Sequence, residues 1–283
     1  MSIPVILVTG YLGSGKTTLI NDFLRNPQGL RATVLVNDFG AINIDASLIE
    51  NSDGDTISLT NGCACCAIGD DLLAAARRAT DATVTRVPDL LLVEASGVSE
   101  PSRMVMLLRG VSKLDPAKIL TLINGATAAR NVRDKFIGRL FRSQIASAHF
   151  VALNRIDGHE DFVVRLLGEV SHAITVESLA DTLSSQSIGS VRLSSNVSAL
   201  PEFHSRVFDL ENPVSTTSIY KWCEALPDHV HRAKGIVETW DGLQELNYCQ
   251  GITTLVPAPI VTTSVAQKVV VVGTQPLRAI ANI

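Results

Sequence analysis

The sequence predicts an α/β fold: a mostly parallel sheet sandwiched by helices, followed by a small C-terminal α+β domain. Three observations predict it. Apolar runs of strand length alternate with helical stretches through the first half of the chain, the pattern of parallel strands joined by crossovers. Gly10-Tyr11-Leu12-Gly13-Ser14-Gly15-Lys16-Thr17 fits G-x-x-x-x-G-K-[ST], a phosphate-binding loop. Beyond a serine-rich stretch at 184–198 the alternation gives way to one helix and several strand-like segments. A P-loop NTPase domain is therefore expected over residues 1–198 and the small α+β domain over 199–283.

The elements follow in order. Residues 3–9 form an apolar strand, and 18–24 read as the first helical turns after the loop. A second strand at 31–36 ends on Asn37-Asp38, and residues 55–59 alternate like a short strand. A helix spans 70–80, with acids at its start and Arg77 and Arg78 at its end, as the helix dipole prefers. The buried strand 88–94 ends on Glu94, followed by a helix at 101–109 and a strand at 118–123. One helix is expected over 132–147, then a strand at 150–153 running into Asn154-Arg155-Ile156-Asp157. In the last part, 220–226 reads as helix and 235–240, 245–250 and 268–272 as strands.

A net charge of −4 argues against nucleic acid or an anionic membrane as the main partner. The first apolar run has no basic residues before it and leads into the phosphate loop, so it reads as a core strand and not a leader. No apolar segment approaches the roughly 20 residues that span a bilayer. The five cysteines are odd in number and three are crowded together, which suits reduced thiols and a cytoplasmic setting.

Ligands of parallel sheets gather at the carboxyl ends of strands, so Gly10–Thr17, Asn37-Asp38, Glu94 and 154–157 should share one crevice. Glycines 10, 13 and 15 let the backbone wind round a polyphosphate with its N–H groups inward. Candidate nucleotide contacts are Gly10, Gly13, Ser14, Gly15, Lys16, Thr17 and Thr18, with Lys16 on the β- and γ-phosphates and the Thr17 hydroxyl on Mg²⁺. Glu94 sits where an acid would bind the Mg²⁺ shell or orient the attacking water; the plainer alternative is a surface carboxylate at a strand end. Asn154-Arg155-x-Asp157 could clamp guanine, since a carboxylate accepts both N1–H and the exocyclic amine. Cys63-Ala64-Cys65-Cys66 offers three soft thiols suited to Zn²⁺, Co²⁺ or Cu⁺, without the second pair of a structural zinc site. Adjacent Cys65 and Cys66 make a poor disulfide, and Cys223 and Cys249 read as core residues. His229 and His231 read as surface or packing residues in preference to metal ligands.

These motifs, with Asn37-Asp38-Phe39-Gly40, Val93-Glu94-Ala95-Ser96-Gly97 and Leu226 to Gly235, occur in an order that resembles the CobW-type GTPases. Those are P-loop metallochaperones related to the nickel-insertion GTPases for urease and hydrogenase. The resemblance implies GTP as nucleotide, with Lys16, Glu94 and Asp38 in catalysis and Asp38 on Mg²⁺ or the transferred metal. It also implies binding of Zn²⁺ or Co²⁺ by Cys63, Cys65 and Cys66, and delivery to a client metalloprotein coupled to GTP hydrolysis. A homodimer fits that reading as well. The chain departs from the family pattern, which has glutamate at 38, a second acid at 41, glycine at 43, aspartate at 124 and lysine at 155. Guanine preference and hydrolysis rate are what those changes touch. No glutamine follows the Glu94 strand, so intrinsic turnover is expected to be slow, below about one per second. The rival expectations are a P-loop ATPase or kinase of small-molecule metabolism, and a thiol metal buffer with vestigial nucleotide binding.

Overall fold

Leu90-Leu91-Leu92-Val93-Glu94 and Val5-Ile6-Leu7-Val8-Thr9 are buried along their whole length, which only a central strand covered on both faces requires. They lie side by side in the first sheet. The computed structural model describes residues 2–37, 56–59, 67–81, 87–185, 201–210, 213–258 and 267–283. Within these, β1 (Val5–Thr9), β2 (Ala32–Asn37), β3 (Thr56–Leu59), β4 (Leu90–Glu94), β5 (Lys118–Asn124), β6 (Phe150–Asn154) and β7 (Ile174–Val176) form one sheet. Their order is β3-β2-β4-β1-β5-β6-β7, with every pairing parallel.

Alternation along the strands fills two layers. Val5, Leu7, Leu91 and Val93 pack on α2 (Ala67–Ala79) and α3 (Pro101–Leu108), through Leu72, Ala75, Met104 and Val105. Ile6, Val8, Leu90 and Leu92 pack on α1 (Lys16–Arg25) and α7 (Leu179–Ser184), through Ile20, Phe23 and Leu179. From β1 the chain passes to β2 on one side, and after β4 it crosses β1 to β5 on the other. That reversal opens a crevice at the carboxyl end of β1, where the glycine-rich loop stands.

The single helix expected over 132–147 is two: α4 (Gly125–Arg133) and α5 (Gly138–Ala146). Asp134 breaks it. Its Oδ1 accepts from the backbone N–H of Phe136 at 2.8 Å and of Ile137 at 3.1 Å, a local turn that competes with the helix ladder. Two further helical segments, α6 (Glu160–Val170) and α7, and strand β7 lie in a region the sequence left unassigned.

The C-terminal domain is a second, antiparallel sheet. It contains β8 (His204–Asp209), β9 (Val230–Thr239), β10 (Gly242–Cys249), β11 (Ile252–Pro257) and β12 (Lys268–Gly273), in the order β11-β10-β9-β12-β8. Helix α8 (Thr216–Glu224) covers one face, burying Ile219, Trp222 and Cys223 against Ala233, Val237, Leu246 and Val271. The opposite face presents Ile236, Val270 and Val272, which share a core with Tyr11, Leu12 and Phe141 of the first domain. Strand β9 begins at Val230, five residues ahead of the expected start, and β8 and β11 were not expected. The sequence boundary near 198 lies in residues 186–200, outside the described residues.

Candidate functional site at the phosphate loop

The loop holds a backbone that side chains would obstruct. Gly10 has φ 131°, and a Cβ there would lie 2.3 Å from the Leu122 carbonyl oxygen. Gly13 has φ 72°, and its Cβ would lie 2.4 Å from Cys249 Sγ. Two amides from neighbouring strand ends fasten the loop from outside. Asn124 Nδ2 donates to Gly13 O at 3.0 Å, and Asn154 Nδ2 donates to Ser14 O at 3.1 Å. These two bonds hold the loop carbonyls just ahead of α1, whose N-terminus at Lys16 is the kind of position that favours an anion.

Inside the loop, buried Lys16 donates from Nζ to Gly10 O at 3.0 Å. Thr17 Oγ1 donates to Glu94 Oε1 at 2.9 Å, and Glu94 is only 3 % exposed. A hydroxyl whose proton is taken by a carboxylate keeps its lone pairs for a cation, so this pair fits Mg²⁺. The Ser14 Oγ is buried and has no hydrogen-bond partner among the described residues, which fits a loop shaped for a further polar ligand.

A cavity of about 620 Å³ opens over the loop. Its inner wall is Gly13, Gly15, Lys16, Thr17 and Thr18 with Glu94, Asn154 and Arg155; its outer wall comes from β9, β10 and β11. Five basic side chains, Lys16, Arg25, Arg155, Arg232 and Lys234, face two carboxylates, Glu94 and Glu245. The size is that of an ordinary small-molecule site, and the charge is that of one for a polyphosphate.

The outer wall is pinned to the loop. Cys249 Sγ donates to Leu12 O at 3.4 Å, and Arg130 donates to Gln250 O at 3.0 Å. Burial pushes the Cys249 thiol up, against the pull of Arg232 and Arg155. Burial likewise holds the Tyr11 phenol well above its ordinary range and pushes His231 down to about 4. The Tyr11 and His231 rings meet edge to face at 5.9 Å, so His231 packs as expected. Cys223 is a core residue, but Cys249 lies in the seam against the phosphate loop.

Of the residues singled out in the sequence, Gly13, Gly15, Lys16, Thr17, Thr18, Glu94, Asn154 and Arg155 converge on this cavity. Gly10 and Ser14 lie buried in the loop behind it. Asp157 is exposed in the turn after β6 and is not among the lining residues. Asp38, Cys63, Cys65 and Cys66 lie outside the described residues. Sequence reasoning missed Arg232, Lys234, Glu245 and Asn247, took Cys249 for a core residue, and marked Asn124 only as a departure from the family pattern. Only the two-residue spacing of Arg232 and Lys234 hinted at a shared strand face.

Residues 4–178 match the family model described as CobW/HypB/UreG, nucleotide-binding domain. The chain belongs to this family. Among curated relatives, it is 28 % identical over 189 residues to the zinc chaperone CobW of Sinorhizobium sp, covering 55 % of this chain and 51 % of the relative. It is 30 % identical over 190 residues to the Pseudomonas aeruginosa zinc chaperone CobW, covering 55 % and 49 %. This CobW-family chain thus spans about half the length of those relatives. The Escherichia coli zinc chaperone YeiR aligns over 85 % of this chain and 84 % of its own length, at 26 % identity. The solved Zn(II)-bound YjiA GTPase from E. coli aligns over 97 % of this chain and 95 % of its own, at 21 % identity and a TM-score of 0.48. No helix among the described residues is long and apolar enough to cross a membrane.

Proposed function

We propose that this CobW-family protein is a GTP-hydrolysing metallochaperone that carries Zn²⁺ or Co²⁺ on Cys63, Cys65 and Cys66 and passes it to a client metalloprotein. The observation that carries the nucleotide half is the phosphate loop with its Thr17–Glu94 pair, opening into a cavity dominated by basic side chains. In this reading Lys16 exchanges Gly10 O for the β- and γ-phosphates, and the loop N–H groups take the remaining phosphate oxygens. Thr17, backed by Glu94, would hold Mg²⁺, which would supply charge neutralisation at the phosphates. Asp38 is assigned to the same cation or to the transferred metal. Asn154 positions the loop, Arg155 packs along the base, and Asp157 selects guanine. The names of the relatives and the cysteine motif support the metal half. GTP would order the segments flanking the cysteines, and hydrolysis would release them and the metal together.

The test is a Co²⁺ titration of the reduced protein, followed by thiolate-to-metal absorption, without nucleotide and with Mg²⁺ complexes of GTP, GDP and ATP analogues. Thiolate bands whose affinity rises selectively with the GTP analogue are expected. Bands that ignore the nucleotide would overturn the coupling and leave a thiol buffer. An effect confined to the ATP analogue would move the protein to the ATPase class.

A further inference from the structure

We infer that Arg232, carried by the C-terminal sheet, is an arginine finger supplied in cis to the nucleotide of the phosphate loop. The inference rests on the GTPase reading above and adds the residue that accelerates it. Gly13, Gly15, Lys16 and Thr17 share one cavity with Arg232, although strand β9 belongs to a different sheet. The strand is held there by contacts independent of any ligand. Arg232 stands directly across from Cys249 in the β9–β10 ladder, and Cys249 is the residue that touches Leu12 O and fills the space beside Gly13. One strand spacing, about 4.8 Å, therefore separates the backbone of Arg232 from the residue in contact with the loop. A guanidinium on its long stem spans the remaining gap to a phosphate in that loop.

The neighbouring cation does a different job. Lys234 lies 3.4 Å from Glu245, with side chains 8 % and 17 % exposed. The lysine charge is matched within the sheet. Arg232, half-buried on the cavity wall, carries a planar fork of five N–H donors, enough to keep a contact within the protein and still meet phosphate oxygens. Arg130 fixes the end of the same ladder, donating to Gln250 O at 3.0 Å and Asp228 O at 3.5 Å.

The reaction explains why such a group matters. Water adds to the γ-phosphorus and the bond to the β–γ bridging oxygen breaks. The electron pair leaves with GDP, and the proton of the water ends on the released phosphate. Negative charge grows on the bridging and γ-oxygens along the way, and Arg232 answers that charge as it forms. Residues 95–97, after the Glu94 strand, are Ala-Ser-Gly and supply no glutamine to orient the water, so added charge stabilisation counts for more.

The experiment is single-turnover GTP hydrolysis and GDP binding by the full chain, for the wild type, Arg232→Ala, Arg232→Lys and, as a remote surface control, Arg165→Ala. Binding of GDP with aluminium fluoride, which mimics the transferring phosphoryl group, is measured in parallel. Arg232→Ala should slow hydrolysis at least tenfold and lose the fluoroaluminate complex, while GDP affinity stays within threefold. Arg232→Lys should recover only part of the rate, and Arg165→Ala should match the wild type. Retained GDP affinity itself certifies a folded loop. A rate loss below tenfold, or one matched by an equal loss of GDP affinity, overturns the finger while leaving the GTPase reading intact. A wild type that binds no guanine nucleotide overturns the proposed function, and this inference with it.

Discussion

Gly13 carries two constraints at once: a left-handed φ of 72° and a space already filled by Cys249, whose Sγ would lie 2.4 Å and Cβ 2.8 Å from an added methyl. Gly13→Ala should therefore lower unfolding free energy by more than the roughly 1–2 kcal/mol of a left-handed non-glycine residue. Cys249→Gly in the same chain should return the steric share and leave the dihedral share. A double-mutant cycle in denaturant should give a coupling of at least about 1 kcal/mol, and additivity would mean that the two residues do not touch. The glycine was legible from the loop motif, but its neighbour was not. Nothing local to Cys249 records that it meets a residue at the other end of the chain. Asn124 shows the same limit. Its Oδ1 caps α4 by accepting from Ala126 N at 3.1 Å while its amide holds Gly13 O. An aspartate at this position could cap but could not donate.

Among elements, the break between α4 and α5 is the clearest case of a local rule overriding periodicity. Apolar spacing runs on through 132–147, yet Asp134 offers its carboxylate to two backbone N–H groups that an uninterrupted helix would bind elsewhere. Asp134→Ala should cost about 1 kcal/mol, read as a lower denaturant midpoint at unchanged m. An unchanged midpoint would show that the turn forms without it. The central strands were legible because burial on both faces leaves only apolar residues. Strand β9 was half hidden for the opposite reason. Its Ala233 and Val237 face α8, whereas Arg232 and Lys234 face the cavity, so a functional face dilutes the apolar signal at its start.

For the molecule as a whole, the seam between the two sheets sets a pH dependence. His231 is 1 % exposed against Tyr11, and burial holds its pKa near 4, against 6.5 in the unfolded chain. Above about pH 6.5 both states are neutral there and the full stability is present. As pH falls from 6.5 toward 4 the unfolded chain takes up a proton that the folded one refuses, and stability is lost, on the order of 3 kcal/mol in all. Denaturation at pH 7 and pH 5 should show this loss, and His231→Gln should flatten it. An equally steep profile in that variant would place the titration elsewhere, with half-buried His149 the next group, also lowered by burial and by Lys118. Domain packing of this kind leaves no motif. The inner wall of the site could be read from the glycine-rich loop and two strand ends, while the outer wall depends on how two sheets meet.

That division has a consequence for synthesis. The loop and the strand ends that clasp it emerge from the ribosome by Asn154, but the residues closing the cavity begin only at Arg232. At roughly 5–20 residues per second, the nascent chain spends several seconds with a cradle open on one side. A nucleotide caught in that interval meets half a binding site. The finished enclosure, and any timing of hydrolysis that depends on it, becomes available only once the hairpins of the last domain have folded back over the first turn of the first helix.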